Sequence, residues 1–276
     1  MCATCGCGKV DEPAGARITI PADGASRREH QHEHAHGHGH GHGHGHDHEH
    51  GHDHDHVPAA TETVTLEQKI LDKNDRLAAG NRSWLAERGV RAFNLMSSPG
   101  SGKTTLLERT VRDLRASSPI SVIEGDQETL LDADRIRSTG CAVVQVNTGS
   151  GCHLDAEMMR GALDALSPAN DSLVFVENVG NLVCPALFDL GEQGKVVLIS
   201  VTEGDDKPLK YPHIFAVADL VIVNKTDLLP YVQFDTEACE RNARSVNPDV
   251  RVINLSATSG EGLEDWYRWV AERRAG

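Results

Sequence analysis

The sequence has 276 residues, 39% of them hydrophobic and 25% charged, enough for one large α/β domain, and no run approaches the ~20 apolar residues that cross a bilayer. A formal charge of -14 disfavours nucleic acid, whose phosphates bind clustered Lys and Arg, so neither nucleic acid nor a membrane is an expected partner. The first seven residues, Met1 to Cys7, lack the basic start and apolar stretch of a secretory signal, which predicts a cytoplasmic protein with reduced thiols.

Residues 1–57 predict a disordered tail, because their composition buries too little apolar surface to offset chain entropy. They carry two groups of metal-ligand type. Cys2-x-x-Cys5-Gly6-Cys7 offers three thiolates around a small residue, and the Cys2 amine becomes a further donor if Met1 is removed. Every second residue is then histidine: His30, His32, His34, His36, His38, His40, His42, His44, His46, His48, His50, His52, His54 and His56. Imidazoles interspersed with Gly, Asp and Glu suit nickel, zinc or copper, in overlapping sites rather than one.

Residues 58–276 predict a folded domain that begins with a helix. Over 65–88 the pattern is helical, with a capping box at Thr65-x-x-Gln68 and Leu66, Ile70, Leu77, Trp84 and Leu85 at helical spacing. Seven short apolar runs follow as strands, near 92–96, 120–123, 142–146, 173–177, 196–201, 220–224 and 250–255. Helical segments near 103–116, 130–138, 155–166, 235–246 and 262–274 lie among them. This alternation predicts an α/β fold, a mainly parallel sheet with helices on both faces.

The first strand runs into Ser97-Ser98-Pro99-Gly100-Ser101-Gly102-Lys103-Thr104, and a helix follows. This is a phosphate-binding loop. Gly100, Ser101 and Gly102 bring backbone N–H groups to the phosphates, Lys103 reaches the outer phosphate oxygens, Thr104 offers a hydroxyl to Mg²⁺, and Thr105 opens the helix beside them. Ser97 stands where the pattern usually has glycine. At the sixth strand's end, Asn224-Lys225-Thr226-Asp227 predicts a guanine pocket, because the Asp227 carboxylate accepts from the N1–H and amine of guanine and adenine lacks that donor pair. Ser256-Ala257 after the seventh strand would face the base oxygen.

Taken together, the cysteine cluster, the histidine tract, Ser97 to Thr104, Gly151-Cys152-His153, Glu177-Asn178-Val179-Gly180-Asn181-Leu182-Val183-Cys184-Pro185 and Asn224 to Asp227 resemble the HypB family of hydrogenase nickel-incorporation GTPases. The resemblance covers the whole chain. It implies a P-loop NTPase G domain of the dimerising SIMIBI-type class and slow hydrolysis of GTP to GDP. It also implies homodimerisation when GTP is bound, and delivery of nickel to a hydrogenase large-subunit precursor together with a partner nickel-maturation protein.

Asp126 and Glu177 stand where the two switches of such a domain would lie, as Mg²⁺ carboxylates or ordinary loop acids, and Gly180 would offer its N–H to the γ-phosphate as the resemblance suggests. On the residues alone, Cys152, His153 and Cys184 stay open between metal ligands and core residues. The resemblance makes them a metal site at a dimer contact, for nickel or zinc. Cys141 and Cys239 read as core cysteines, the three tryptophans as packing residues, and His213 as part of a solvated loop. Two rival functions remain: a nickel storage and detoxification protein with a regulatory G domain, and a related chaperone for another metalloenzyme.

Overall fold

The computed structural model describes residues 17–19, 59–126, 131–149 and 151–273. Strands β1 (Arg17–Thr19), β2 (Arg91–Ser97), β3 (Ile120–Asp126), β4 (Ala142–Asn147), β5 (Leu173–Glu177), β6 (Gly194–Ser200), β7 (Leu220–Asn224) and β8 (Arg251–Asn254) form one sheet in the order β1-β4-β3-β5-β2-β6-β7-β8. Seven are parallel, as predicted. The eighth, β1, pairs antiparallel with β4 inside the stretch read as tail, so the tail reading does not hold for these three residues. Cys2, Cys5, Cys7 and the histidine run His30 to His56 lie outside the described residues.

The helices are α1 (Ala59–Glu87), α2 (Lys103–Leu114), α3 (Leu131–Arg137), α4 (Ala156–Leu166), α5 (Lys207–Lys210), α6 (Pro212–Ala216), α7 (Thr236–Val246) and α8 (Leu263–Glu272). Strand residues alternate between faces. Phe93 and Leu95 of β2 point to a core shared with Leu106 and Leu107 of α2, Ile136 of α3 and Trp266 and Trp269 of α8. Ala92 and Met96 point to the opposite face, where α1 and α4 cover one apolar cluster and α6 and α7 cover another. Asn94 lies between them on β2, fully buried, and marks a polar seam through that face. Cys141 and Cys239 are buried, and burial pushes both thiols up to about 12, as expected of inert core cysteines.

Helix α1 departs from its predicted pattern. It starts at Ala59, six residues before the expected cap at Thr65, where the sequence Val57-Pro58-Ala59-Ala60 supplies proline and good helix formers. Its buried stripe is Asn74, Ala78, Asn81 and Leu85, whereas Ile70 is 44% exposed. The face packs on loop backbone, which needs hydrogen-bonding side chains rather than apolar ones. The segment around His213 is also helical rather than a loop: Pro208 and Pro212 occupy first-turn positions of α5 and α6, where a missing N–H costs nothing. His213 itself is exposed on α6.

Candidate nucleotide and metal sites

The carboxyl ends of the parallel strands converge, and the loop after the central β2 wraps a cavity of about 510 Å³ there, the usual ligand position in an open α/β sheet. Gly100, Gly102, Lys103, Thr104, Thr105, Asp126, Glu177, Gly180 and Lys225 line it, so the structure brings together residues predicted from four separate segments. Gly102 has φ +102°, and a Cβ there would lie 2.5 Å from Asn224 Nδ2, so only glycine admits the close approach of the loop to β7. Asn224 Nδ2 donates to the Ser101 carbonyl at 2.9 Å, and Lys225 Nζ donates to the Gly100 carbonyl at 2.7 Å. The base-reading segment thus props the phosphate loop directly.

Ser97, the departure from the usual loop pattern, has a definite partner: Lys103 Nζ donates to its Oγ at 2.7 Å. Burial lowers the Lys103 pKa, with the Glu177 charge the largest opposing influence. Thr104 Oγ1 donates to Glu177 Oε1 at 2.7 Å. The other oxygen of Glu177 has no hydrogen-bond partner, and neither does Oε2 of Glu124 one strand away, although both side chains are buried. Burial raises Glu177 to about 7; burial, with the Glu177 charge second, raises Glu124 to about 8. Two orphaned carboxylate oxygens beside a threonine hydroxyl form a hard-oxygen donor set, which suits a cation such as Mg²⁺.

Guanine recognition has matching geometry. Asp227 sits in the first turn of a 3-10 helix over Thr226–Tyr231, and Ser256 Oγ donates to its Oδ1 at 2.5 Å. The Ala257 N–H donates to Asn224 Oδ1 at 3.1 Å, so Ala257 braces Asn224 here instead of lying free for a base.

Sequence reasoning missed Glu124, Asn178, Asp132 and Arg135, which also line the cavity. A glutamate interrupting the apolar run at the end of β3 was the available signal for the first; Asn178 stood within the stretch Glu177 to Pro185 with no role read for it, and Asp132 and Arg135 had no signal.

A second group lies beside this cavity. One ligand atom each from Cys152, His153 and Cys184 fall within 4.8 Å of one another, with Cys152 Sγ 3.7 Å from His153 Nδ1. Cys184 opens a 3-10 helix, Cys184–Leu187, seven residues beyond Glu177. Cys152 and His153 precede α4, which Asp155 caps by accepting from the Met158 N–H at 2.8 Å. His153 stacks on Phe188 with ring centroids 3.9 Å apart, and burial lowers its pKa, which favours the neutral imidazole that ligates metals.

Helix α1 closes the back of this site. Asn74 accepts from the Ala156 N–H at 2.9 Å and donates to the Asp189 carbonyl at 2.8 Å. Asn81 donates to the Ala156 and Leu190 carbonyls at 2.8 and 3.0 Å. The segments that carry Cys152, His153 and Cys184 are therefore both latched to helix α1.

Comparison with known proteins agrees with this architecture. Residues 91–254 match the family described as CobW/HypB/UreG, nucleotide-binding domain. Hydrogenase maturation factor HypB of Escherichia coli K12 is 57% identical over 209 residues, 76% of this chain and 72% of that protein. Among solved structures, hydrogenase maturation factor HypB from Archaeoglobus fulgidus superposes with a TM-score of 0.69 at 42% identity, covering 73% of this chain and 98% of that one. HypB from Helicobacter pylori in complex with nickel gives 0.68 at 40% identity, covering 72% and 94%. None of the described helices is long and apolar enough to cross a membrane. The domain match across more than half the sequence and the identity to full-length relatives place the chain in the HypB family.

Proposed function

We propose that the protein is a GTPase metallochaperone that holds nickel on Cys152, His153 and Cys184 and couples its release to nucleotide state, during maturation of [NiFe] hydrogenase. One observation carries the reading: two soft thiols and an imidazole meet within 4.8 Å, and Cys184 lies on the chain segment that continues directly from the cavity wall at Glu177 to Gly180. Sulfur and nitrogen donors suit nickel or zinc, and three protein ligands leave room for exchange with a recipient. The nickel-bound Helicobacter pylori relative and the maturation factors named above supply the metal and the client class.

In the nucleotide cavity, Gly100 to Gly102 cradle the phosphates and Lys103, released from Ser97, meets their outer oxygens. Asp227, held by Ser256, accepts from guanine. Glu124, Asp126, Glu177 and Thr104 would hold Mg²⁺ between them, and the orphaned oxygens of Glu124 and Glu177 fit that role. Bound there, Mg²⁺ would neutralise charge on the phosphates. No glutamine is among the described residues that line the cavity, and in this reading catalysis rests on positioning and charge, with slow turnover. Homodimerisation in the GTP state would bring two trios together, while Cys2, Cys5, Cys7 and the histidine tract would acquire or store metal.

The test uses the chain carrying Cys2→Ser, Cys5→Ser and Cys7→Ser, whose thiolate-to-nickel absorption reports the domain thiols. Nickel is titrated with GDP or a non-hydrolysable GTP analogue bound while oligomeric state is followed, with Cys184→Ser as the blank. A nucleotide-dependent affinity that changes together with assembly supports the switch; identical affinities in both states overturn it.

A further inference from the structure

Between the two sites lies a buried side chain that lines one and hydrogen-bonds the backbone beside the other. Asn178 follows Glu177 at the end of β5, lines the nucleotide cavity and is 1% exposed. Its Oδ1 accepts two backbone N–H groups: Val179, at 3.0 Å, in the segment leading to Gly180, and Leu154, at 3.2 Å, next to His153. Its Nδ2 donates to Asn94 Oδ1 at 3.2 Å, Asn94 Nδ2 donates to Glu192 Oε1 at 3.2 Å, and Glu192 Oε2 accepts from the Leu190 N–H at 2.8 Å. Two N–H donors at one end and a carboxylate at the other leave only one orientation for both amides. Leu154 is gripped a second time, since its side chain fills the space at Gly125, where a Cβ would come within 2.8 Å of Leu154 Cγ.

We propose that Asn178 is the positioning residue through which nucleotide state reaches the metal trio, an inference that rests on the switch reading above. One carbonyl oxygen serves both N–H groups, so a shift of Val179 and Gly180 toward a γ-phosphate forces a choice. Either Leu154 follows, carrying His153 with it, or its N–H loses a partner in a buried seam. Through Asn94 and Glu192 the same side chain also bears on the segment after Cys184. Both halves of the trio are thus tied to one amide. Asn178 touches no ligand in this scheme; it acts by holding backbone.

The wild-type chain, on the tail-thiol background described above, first gives the ratio of nickel affinities with GDP and with the GTP analogue. A ratio of one sinks the switch reading itself. With a ratio in the usual range for coupled sites, about 5- to 150-fold, Asn178→Ala, compared at saturating nucleotide, is expected to bring it to within about twofold of one, leaving nickel affinity in the GDP state within about threefold of wild type. A ratio unchanged in Asn178→Ala, or an equal loss of nickel affinity in both nucleotide states, shows a merely structural asparagine and overturns the proposal. Amide hydrogen exchange in the wild-type chain gives an answer that needs no variant: Leu154 N–H should exchange at different rates with GDP and with the analogue. Equal rates beside a nucleotide-dependent nickel affinity would also overturn it.

Discussion

Thr104 and Glu177 stand 73 residues apart in sequence, yet the Thr104 hydroxyl donates to Glu177 Oε1 at 2.7 Å and leaves Oε2 turned away without a partner. The bond orients a carboxylate that burial holds near neutral pKa, so its charged form becomes favourable when a cation arrives. Glu177→Gln keeps the shape and removes the charge. Phosphate release from GTP should fall by about 100-fold or more, and its dependence on Mg²⁺ concentration should flatten, while GDP still binds. Hydrolysis at the wild-type rate with unaltered Mg²⁺ dependence would remove Glu177 from the site.

In the proposed function base selection rests on the Asp227 carboxylate, to which the Ser256 hydroxyl donates at 2.5 Å. Asn at this position offers one acceptor and one donor, which matches xanthine and mismatches guanine. Asp227→Asn should therefore lose at least ~100-fold in GTP affinity and gain in XTP affinity, measured by competition against labelled GDP. Equal losses for both nucleotides would mean that the change disturbs the loop rather than the reading of the base.

The His153 ring is held by stacking on Phe188. Phe188→Ala frees it to rotate away from the two sulfurs. Nickel affinity of the domain site should drop by about 10-fold, the scale seen when groups that orient a ligand are removed, with nucleotide affinity unchanged. An unchanged nickel titration would show that the trio is held by α1 alone.

A pH effect follows from Glu192, raised from the usual 4.5 to about 7 first by burial and next, among the influences acting upward, by the Asp189 charge. A carboxyl with a raised folded-state pKa takes up a proton on folding. Its stabilising contribution is fully present below about pH 4.5 and is lost as pH rises through about 7. The nucleotide-free chain should thus melt at a lower temperature at pH 8 than at pH 5.5, and Glu192→Gln should reduce that difference by roughly 2–4 °C for each kcal/mol removed. A Glu192→Gln melting profile parallel to wild type would place the effect elsewhere.

Much of this was legible before the fold. The seven parallel strands are continuous apolar runs because both sheet faces are covered, and they fall where Ala92, Ile120, Ala142, Leu173, Val196, Leu220 and Val250 announce them. The phosphate loop and Asp227 are local patterns with local chemistry. Cys152, His153 and Cys184 needed the fold, since nothing in linear spacing says that the loops after β4 and β5 meet. Asn74, Asn81, Asn94 and Asn178 were not legible at all. Asn74 and Asn81 bond backbone groups of distant loops, Asn94 bonds the side chains of Asn178 and Glu192, and apolar periodicity carries no signal for a buried face made of amides. Strand β1, three residues long, is below what alternation can reveal.

The matched nucleotide-binding domain and the hydrogen bonding draw different borders in this molecule. The shared domain match opens at Arg91, but Asn74 and Asn81 lie ahead of it in α1, and they satisfy the backbone of Ala156, Asp189 and Leu190. A chain cut at Arg91 would retain every residue of the phosphate loop and the base pocket, yet would leave the footing of the ligand-bearing loops unmade. The residues that line the nucleotide cavity are therefore contained in a shorter stretch of chain than the contacts that keep the thiols and imidazole in register. The difference is one helix.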